Sequence, residues 1–304
     1  MKRRTLLKYL ASISMPVYIL PTNLFAGNRH HIKRVIPSSK ESIPVIGMGS
    51  WLTFDIGDNQ AALSSRIQVI QHFFNQGGGI IDSSPMYGSS EHTIGQCLKH
   101  INNDETLFAA TKVWTWGKRA GIEQMKNSQS LWGIDSFKLM QIHNMLDWED
   151  HLETLKEWKS NGHIHYIGIT TSHGRRHDEL EQVLNSEAFD FVQFTYNVID
   201  REVEKRLLPL AQERGIAVII NRPFRGGDLF ELFNNKPLPV WAGDFDCHNW
   251  AQFFLKFIVS HPAVTCTIPA TSNVAHMDEN MGAGVGQLPD NKMRQKMTRY
   301  LENI

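Results

Sequence analysis

The sequence predicts a (β/α)8 TIM-type barrel with an N-terminal β-hairpin, and three observations predict it. From about residue 45 onward, eight short apolar runs alternate with eight helical stretches, the order of a parallel sheet wrapped in helices. The runs lack a clean apolar/polar alternation, as expected of strands covered on both faces. Polar and aromatic residues collect at the C-terminal ends of the runs, while the opposite ends carry mostly Asp, Asn, Lys and Gly turns. A doubly wound open sheet is the competing architecture. No G-x-G-x-x-G opens a helix after the first run, which argues against the dinucleotide-binding version of that sheet.

Taken in order, the chain begins with a basic segment, "KRRTLLK", followed by the apolar stretch "YLASISMPVYILPTNLFA". Pro16 and Pro21 interrupt that stretch, and it falls short of a membrane span of about 20 residues. Arg3 and Arg4 followed by Thr5, Leu6, Leu7 and Lys8 resemble a twin-arginine signal, which exports proteins already folded. Residues 1–26 are therefore expected to act as that signal, with the twin-arginine export machinery as partner and the periplasm as destination. An ordinary secretory signal, or an uncleaved membrane-anchored form, is the alternative. Leu24 makes cleavage after Ala26 a weak site. Folded export suits an enzyme that must load a nucleotide cofactor before crossing. No membrane span is expected after processing.

Beyond the signal, residues 32–36 and 43–47 form two β-like runs with polar residues between them, as in a hairpin. Strands are expected at 45–49, 79–83, 108–113, 138–143, 166–171, 191–196, 217–221 and 265–269. Helices are expected near 60–75, 90–101, 119–132, 148–161, 176–186, 200–214, 247–260 and 289–302. The Gly-, Pro- and Asn-rich segment 224–246 reads as a long loop after the seventh strand, able to close over a ligand. No domain boundary is evident after residue 32, so residues 32–304 are expected to form a single barrel domain.

Composition narrows the function classes. Of 304 residues, 41% are hydrophobic and the formal net charge is zero. The first 26 residues hold Lys2, Arg3, Arg4 and Lys8 and no acid, which leaves 27 basic against 31 acidic residues in the body. Without a basic excess, nucleic acid is not an expected partner. Cys97, Cys247 and Cys266 are too few for a disulfide framework and include no C-x-x-C, so three separate buried thiols are expected. In an exported protein, one pair could oxidise.

On the C-terminal rim the sequence places Ser50 and Trp51 after strand one, and Asp82 and Tyr87 after strand two. Lys112 ends strand three, His143 ends strand four, and Thr170, Thr171 and Ser172 close strand five. Gln193 and Asn197 lie on or after strand six, and Asn221 and Arg222 after strand seven. Tyr and Lys carry protons poorly at neutral pH when isolated, with ordinary pKa values near ~10. Beside one another and an acid they become useful, because a cation lowers a phenol's pKa. A buried Lys112 needs a carboxylate, and Asp82 is the natural one. His143 alone would more often be a satisfied core histidine. Within this quartet it reads as a catalytic group.

The motifs "GGGIIDSSPMYGSSE", "ATKV", "QIHN", "YIGITTS", "VQFTYN" and "IPATSNVAHMDEN", in that order over residues 40–285, resemble the successive motifs of the aldo/keto reductases. The resemblance implies a (β/α)8 barrel that binds NADP, or NAD, without a Rossmann fold and acts on a carbonyl or alcohol substrate. It implies Tyr87 as the general acid, Lys112 lowering its pKa, Asp82 paired with Lys112, and His143 orienting the carbonyl. Cofactor contacts implied are Thr170, Thr171 and Gln193 at the nicotinamide amide, and Arg222 at the pyrophosphate, with Asn221 beside it. Ser272, His276, Glu279 and Asn280 are implied around the adenosine. Trp51, Met86, Trp114 and Trp116 would line an apolar substrate pocket, with ordinary packing as the bland reading.

The chain departs from the family pattern in places. Asn221 stands where an aromatic residue commonly stacks on nicotinamide. Ala270 and His276 stand where Lys and Arg commonly hold the 2′-phosphate of NADP. Thr171 stands where Asn is common. Two histidine pairs, His163 with His165 and His173 with His177, are poorly set for a metal, and none is expected. A nicotinamide-binding sensor or partner subunit with little turnover is the second functional reading. A barrel with lyase-like chemistry is the third, and it leaves the quartet unexplained.

Overall fold

A computed structural model of the chain describes residues 31–101, 106–233 and 235–304. The expected export signal lies outside them. The described chain opens with an antiparallel hairpin of β1 (Lys33–Val35) and β2 (Ser42–Pro44), in register Lys33↔Pro44 and Val35↔Ser42. Eight parallel strands follow: β3 (Met48–Gly49), β4 (Ile80–Asp82), β5 (Phe108–Val113), β6 (Phe137–Ile142), β7 (Ile164–Thr170), β8 (Phe191–Thr195), β9 (Ala217–Asn221) and β10 (Cys266–Thr267). Each pairs with its neighbours in chain order. Parallel bridges Ile46↔Thr267 and Gly49↔Ala270 join β3 to β10 and close the ring. A Cβ on Gly49 would stand 2.8 Å from the Ile268 carbonyl oxygen, so the seam depends on that glycine.

The helices are α1 (Gln60–Asn75), α2 (Ser90–Leu98), α3 (Lys118–Trp132), α4 (Trp148–Ser160), α5 (His177–Ser186), α6 (Leu207–Glu213), α7 (Asp228–Phe233), α8 (Trp250–Val259), α9 (Val274–Gly282) and α10 (Asn291–Glu302). Side-chain oxygens of Asn59, Asn249, Asn273 and Asp290 cap the N-termini of α1, α8, α9 and α10, satisfying amides that a helix leaves unpaired.

Several boundaries differ from the sequence expectation for physical reasons. The helix expected at 200–214 splits into a 3-10 turn at Glu202–Glu204 and α6. Pro209 lacks an N–H and is tolerated only in a first helical turn, which places the start near residue 207. The last strand shrinks to Cys266–Thr267 because Pro269 cannot donate to the ladder. Helix 90–101 ends at Leu98. The segment 224–246 is no plain loop: it holds α7 and a 3-10 turn at Val240–Phe245. Helix α9 was not anticipated.

Two apolar clusters hold the barrel. The larger fills the space between strands and helices, with Phe73, Trp132, Tyr196 and Phe253 among its buried members. The smaller lies inside the barrel and includes Phe108, Tyr166, Phe191, Ile36 and Ile43. Ile36 and Ile43 come from the hairpin, so β1 and β2 plug one end of the barrel. Each buried isoleucine stabilises by roughly 1.5–3 kcal/mol. Tyr166 Oη donates to Glu41 Oε2 (2.6 Å) and accepts from the Ser39 hydroxyl (2.7 Å), tying the turn of the hairpin to β7.

Candidate active site

The four residues of the quartet converge at the C-terminal end of the barrel. Asp82 ends β4 and Lys112 lies in β5, in neighbouring strands paired through Asp82↔Ala110. Lys112 Nζ donates to Asp82 Oδ2 at 2.5 Å and to the Ser83 carbonyl at 2.7 Å. The ammonium stands 5.3 Å from the Tyr87 ring centroid. Tyr87 and His143 meet edge to face with centroids 5.7 Å apart. His143 sits immediately past β6, and its Nδ1 is 2.8 Å from Ser84 Oγ.

Burial shapes the titration of these groups. Burial raises the Tyr87 hydroxyl above its ordinary value, Lys112 pulls it back down by charge and hydrogen bonding, and Asp82 adds to the rise. The expected fall in the Tyr87 pKa is therefore corrected: Lys112 opposes the rise without reversing it, because desolvation of the phenolate is the larger effect. Burial also lowers Lys112, but Asp82, Tyr87 and Glu91 outweigh it, so the ammonium is retained. Burial and then the Lys112 charge hold His143 well below the usual histidine range, so its imidazole is neutral.

A polar network extends from this pair across the barrel. Gln141 Nε2 donates to Asp82 Oδ1 at 2.7 Å. Gln193 Nε2 donates to Asp82 Oδ1 at 3.3 Å and to Gln141 Oε1 at 3.2 Å. Asn221 Nδ2 donates to the Thr171 carbonyl at 2.9 Å and to Gln193 Oε1 at 3.4 Å, while its Oδ1 accepts from Thr195 Oγ1 at 2.7 Å. Buried polar groups demand such partners, and the chain fixes the carboxylate from both sides.

A cavity of about 410 Å3 opens above this floor. Asp82, Tyr87, His143, Thr170, Gln193, Asn221, Arg222, Trp51 and Met86 line it, as do Asn144, Ser172, His173, Phe224 and Phe230. The Arg222 guanidinium lies 6.0 Å from the Trp51 ring centroid and makes no salt bridge among the described residues. Gly226 and Gly227, with φ of +78° and +112°, form part of the wall. Asn144, Met145 and Asp147 after β6, and Arg222 and Arg225 after β9, all have positive φ. Such backbone is costly in non-glycine residues and concentrates at functional rims.

Other expected site residues stand elsewhere. Thr171 is buried, its hydroxyl donating to the Arg175 carbonyl at 2.5 Å, and it does not line the cavity. Lys112 lies beneath the cavity floor. Trp114 and Trp116 are outside the lining: Trp114 packs 6.4 Å from the His143 ring and Trp116 is 71% exposed. The loop carrying them is held by Gln124, bonded to both backbone polar groups of Trp114, and by His151, whose Nε2 is 2.8 Å from the Thr115 carbonyl. Ser272 precedes α9, and His276, Glu279 and Asn280 lie on it, past β10 and outside the cavity lining. Asn280 is buried.

Asn144, His173, Phe224 and Phe230 were not singled out as site residues from sequence. Their signal lies in the loops after β6, β7 and β9, which carry no periodicity. Gln141 left a usable trace, a polar residue deep in the run "FKLMQI", past Lys138 at its entry.

The sequence model of the Aldo/keto reductase family matches residues 45–297. The chain belongs to the aldo/keto reductase family. Among curated relatives it is 26% identical over 190 residues to the aldo-keto reductase YhdN of Bacillus subtilis, an alignment covering 58% of this chain and 56% of that protein. The chain thus spans little more than half the length of that relative. It is 25% identical over 233 residues to the NADH-specific methylglyoxal reductase of Escherichia coli, covering 65% of this chain and 68% of that one. The fold matches a Bacillus halodurans aldo-keto reductase in its holo form, with a TM-score of 0.73, 22% identity, and coverage of 90% and 96%. It also matches a Klebsiella pneumoniae aldo/keto reductase in complex with NADP and acetate, with a TM-score of 0.69, 20% identity, and coverage of 86% and 93%.

Proposed function

We propose that this member of the family transfers a hydride between NADP(H), or NAD(H), and a carbonyl or alcohol substrate, with Tyr87 giving or taking the proton. The observation that carries the proposal is the placement of Tyr87 against Lys112 and His143 at the floor of the cavity, with Asp82 holding Lys112 at 2.5 Å.

The residues present fit a nicotinamide nucleotide. Arg222 is a cavity-lining cation with no salt bridge among the described residues, suited to a phosphate. Gly226 and Gly227 add no side chain to the same wall. Thr170 Oγ1 accepts from the Asn144 N–H at 2.9 Å, which leaves its hydroxyl hydrogen available to the amide head. NADP is the cofactor named with several solved relatives. Residues 270–282 contain no Lys or Arg, which keeps NAD as the alternative.

When bound, the cofactor supplies or accepts the hydride. The chain's own residues manage the proton. Tyr87 is protonated at neutral pH and donates to the carbonyl oxygen as the oxygen gains electrons. The nearby ammonium of Lys112 stabilises the phenolate left behind, and Asp82 keeps that ammonium charged and in place. Neutral His143 holds the carbonyl oxygen without competing for the proton. Trp51, Met86, Phe224 and Phe230 supply an apolar wall for the rest of the substrate.

The test is Tyr87→Phe. Turnover with added cofactor is expected to fall by roughly 10²–10⁴-fold with cofactor affinity retained, and full activity in the variant would refute the assignment. One observation favours the second reading, a cofactor-holding sensor or partner subunit: Gln193, Asn221 and the Thr171 hydroxyl are already hydrogen-bonded within the protein. Multiple turnovers of a carbonyl substrate count against that reading, and stoichiometric binding without turnover supports it.

We further propose that residues 1–26 direct folded export to the periplasm through the twin-arginine machinery, a reading supported by Arg3 and Arg4 ahead of Leu6 and Leu7. No helix among the described residues is long and apolar enough to cross a membrane. Replacing both arginines by lysine should leave the protein in the cytoplasm on cell fractionation; unchanged export would refute the twin-arginine route.

A further inference from the structure

We infer that Ser84 fixes the tautomer of His143, making a neutral imidazole a hydrogen-bond donor toward the substrate oxygen through Nε2. The inference deepens the catalytic reading and rests on it for the role of His143.

Ser84 follows β4 by two residues and is fully buried. Its Oγ lies 2.8 Å from His143 Nδ1 and accepts from the Met86 N–H at 3.2 Å. A hydroxyl has one hydrogen to give and two lone pairs to accept with, and a neutral imidazole has one N–H. His143 is held neutral by burial and by the Lys112 charge, so its hydrogen sits on Nδ1 or on Nε2.

The two choices are not equivalent. With hydrogen on Nδ1, Ser84 Oγ would accept from both Met86 and His143. The buried hydroxyl hydrogen would then have no acceptor, since Oγ makes no hydrogen bond among the described residues besides those to Met86 and His143. An unmade hydrogen bond on a buried group is costly. With hydrogen on Nε2, every group has a partner: the Met86 N–H donates to Ser84 Oγ, and the Ser84 O–H donates to Nδ1. The ring is also fixed in orientation, by Tyr87 at 5.7 Å and Trp114 at 6.4 Å between centroids.

The consequence reaches the substrate. His143 lines the cavity, and Nε2 is the ring nitrogen left free of Ser84. An Nε2–H donates to a carbonyl oxygen; a bare Nε2 would present a lone pair to it and repel it. Ser84 therefore acts as a positioning residue through His143, much as a second group orients a catalytic histidine in other enzymes. The sequence places it two residues after Asp82 and three before Tyr87, inside the motif that supplies the proton donor.

The test reads the tautomer directly. Protein labelled with 15N-histidine is studied by long-range 1H–15N correlation, and the His143→Gln spectrum identifies the His143 signals among 14 histidines. The wild-type protein should show a protonated Nε2 and a bare Nδ1. Ser84→Ala should shift both nitrogens toward a mixture and lower kcat roughly tenfold or more, with cofactor Kd unchanged. Ser84→Thr should restore both readouts. A protonated Nδ1 in the wild-type protein, or a Ser84→Ala spectrum identical to wild type, would overturn the inference. If Ser84→Ala does not fold, the wild-type spectrum alone decides. The catalytic reading is tested separately: full turnover in Tyr87→Phe would remove it while leaving the tautomer assignment intact.

Discussion

Lys112 Nζ lies 2.5 Å from Asp82 Oδ2, and their side chains are 0% and 2% exposed. Two opposite charges so deeply buried depend on one another, because neither has water to fall back on. Asp82→Asn is expected to destabilise the protein by about 3–5 kcal/mol, since it leaves a buried ammonium unpaired. The double variant Asp82→Asn/Lys112→Met should lose less than the sum of the single changes while turnover stays abolished. Urea unfolding of the set measures the coupling, and strict additivity would contradict the pairing.

The Tyr87 hydroxyl is raised above the ordinary phenol value, chiefly by burial. Carbonyl reduction needs the protonated phenol, so this requirement is met below the raised pKa and lost above it. Alcohol oxidation needs the phenolate and should rise with pH over the same range. A pH–rate profile for kcat should therefore show no loss of reduction attributable to Tyr87 until the pH passes ~10. A titration near pH 7 in reduction that persists in His143→Gln would argue against Tyr87 as the donor.

All three thiols are free and buried in the structure. Burial pushes Cys97 and Cys247 up to about 12 and raises Cys266 as well. A thiol reacts as its thiolate, so native protein should resist a thiol-specific reagent at pH 8. Three equivalents should react after denaturation. Rapid labelling of the folded protein would show that one of these sites opens.

Arg294 on α10 ties the last helix to the barrel. It is 7% exposed, and its Nη2 donates to Tyr196 Oη at 2.5 Å and to Glu204 Oε1 at 3.1 Å. Its Nη1 donates to the Phe257 carbonyl and to Ser260 Oγ, and its guanidinium stands 4.2 Å from the Phe257 ring centroid. Arg294→Ala removes all of these and leaves Tyr196 Oη and Ser260 Oγ without the donor each accepts from, at an expected cost of about 2–4 kcal/mol. Arg294→Lys should recover only part, because an ammonium cannot serve those partners in one plane. Thermal or urea unfolding checks both.

The barrel was legible in the sequence because its strands are short apolar runs with polar residues collected at or just past their C-terminal ends. Asp82, Lys112 and His143 all stand at or beside such ends, and Tyr87 follows in a fixed motif. The wall of the cavity was less legible. Phe224 and Phe230 come from a Gly- and Pro-rich segment whose composition says loop, although α7 holds Phe230 against Phe224, with ring centroids 4.7 Å apart. The family resemblance implies Trp114 and Trp116 in the pocket, and neither lines the cavity. Hydrogen bonds from Gln124 and His151 hold that loop, and such contacts join residues apart in sequence. The rise in the Tyr87 pKa was equally hidden, because it depends on how much water the completed barrel excludes.

The hairpin of β1 and β2 sets the direction in which the molecule can be held. Ile32 donates its N–H to the Gly284 carbonyl at 2.7 Å, at the end of the barrel that Ile36 and Ile43 plug, opposite the cavity. Anything attached ahead of residue 31 therefore joins the molecule from behind. A translocation leader, a bilayer tether or an affinity tag fixed there would leave the mouth facing outward, open to diffusing substrate.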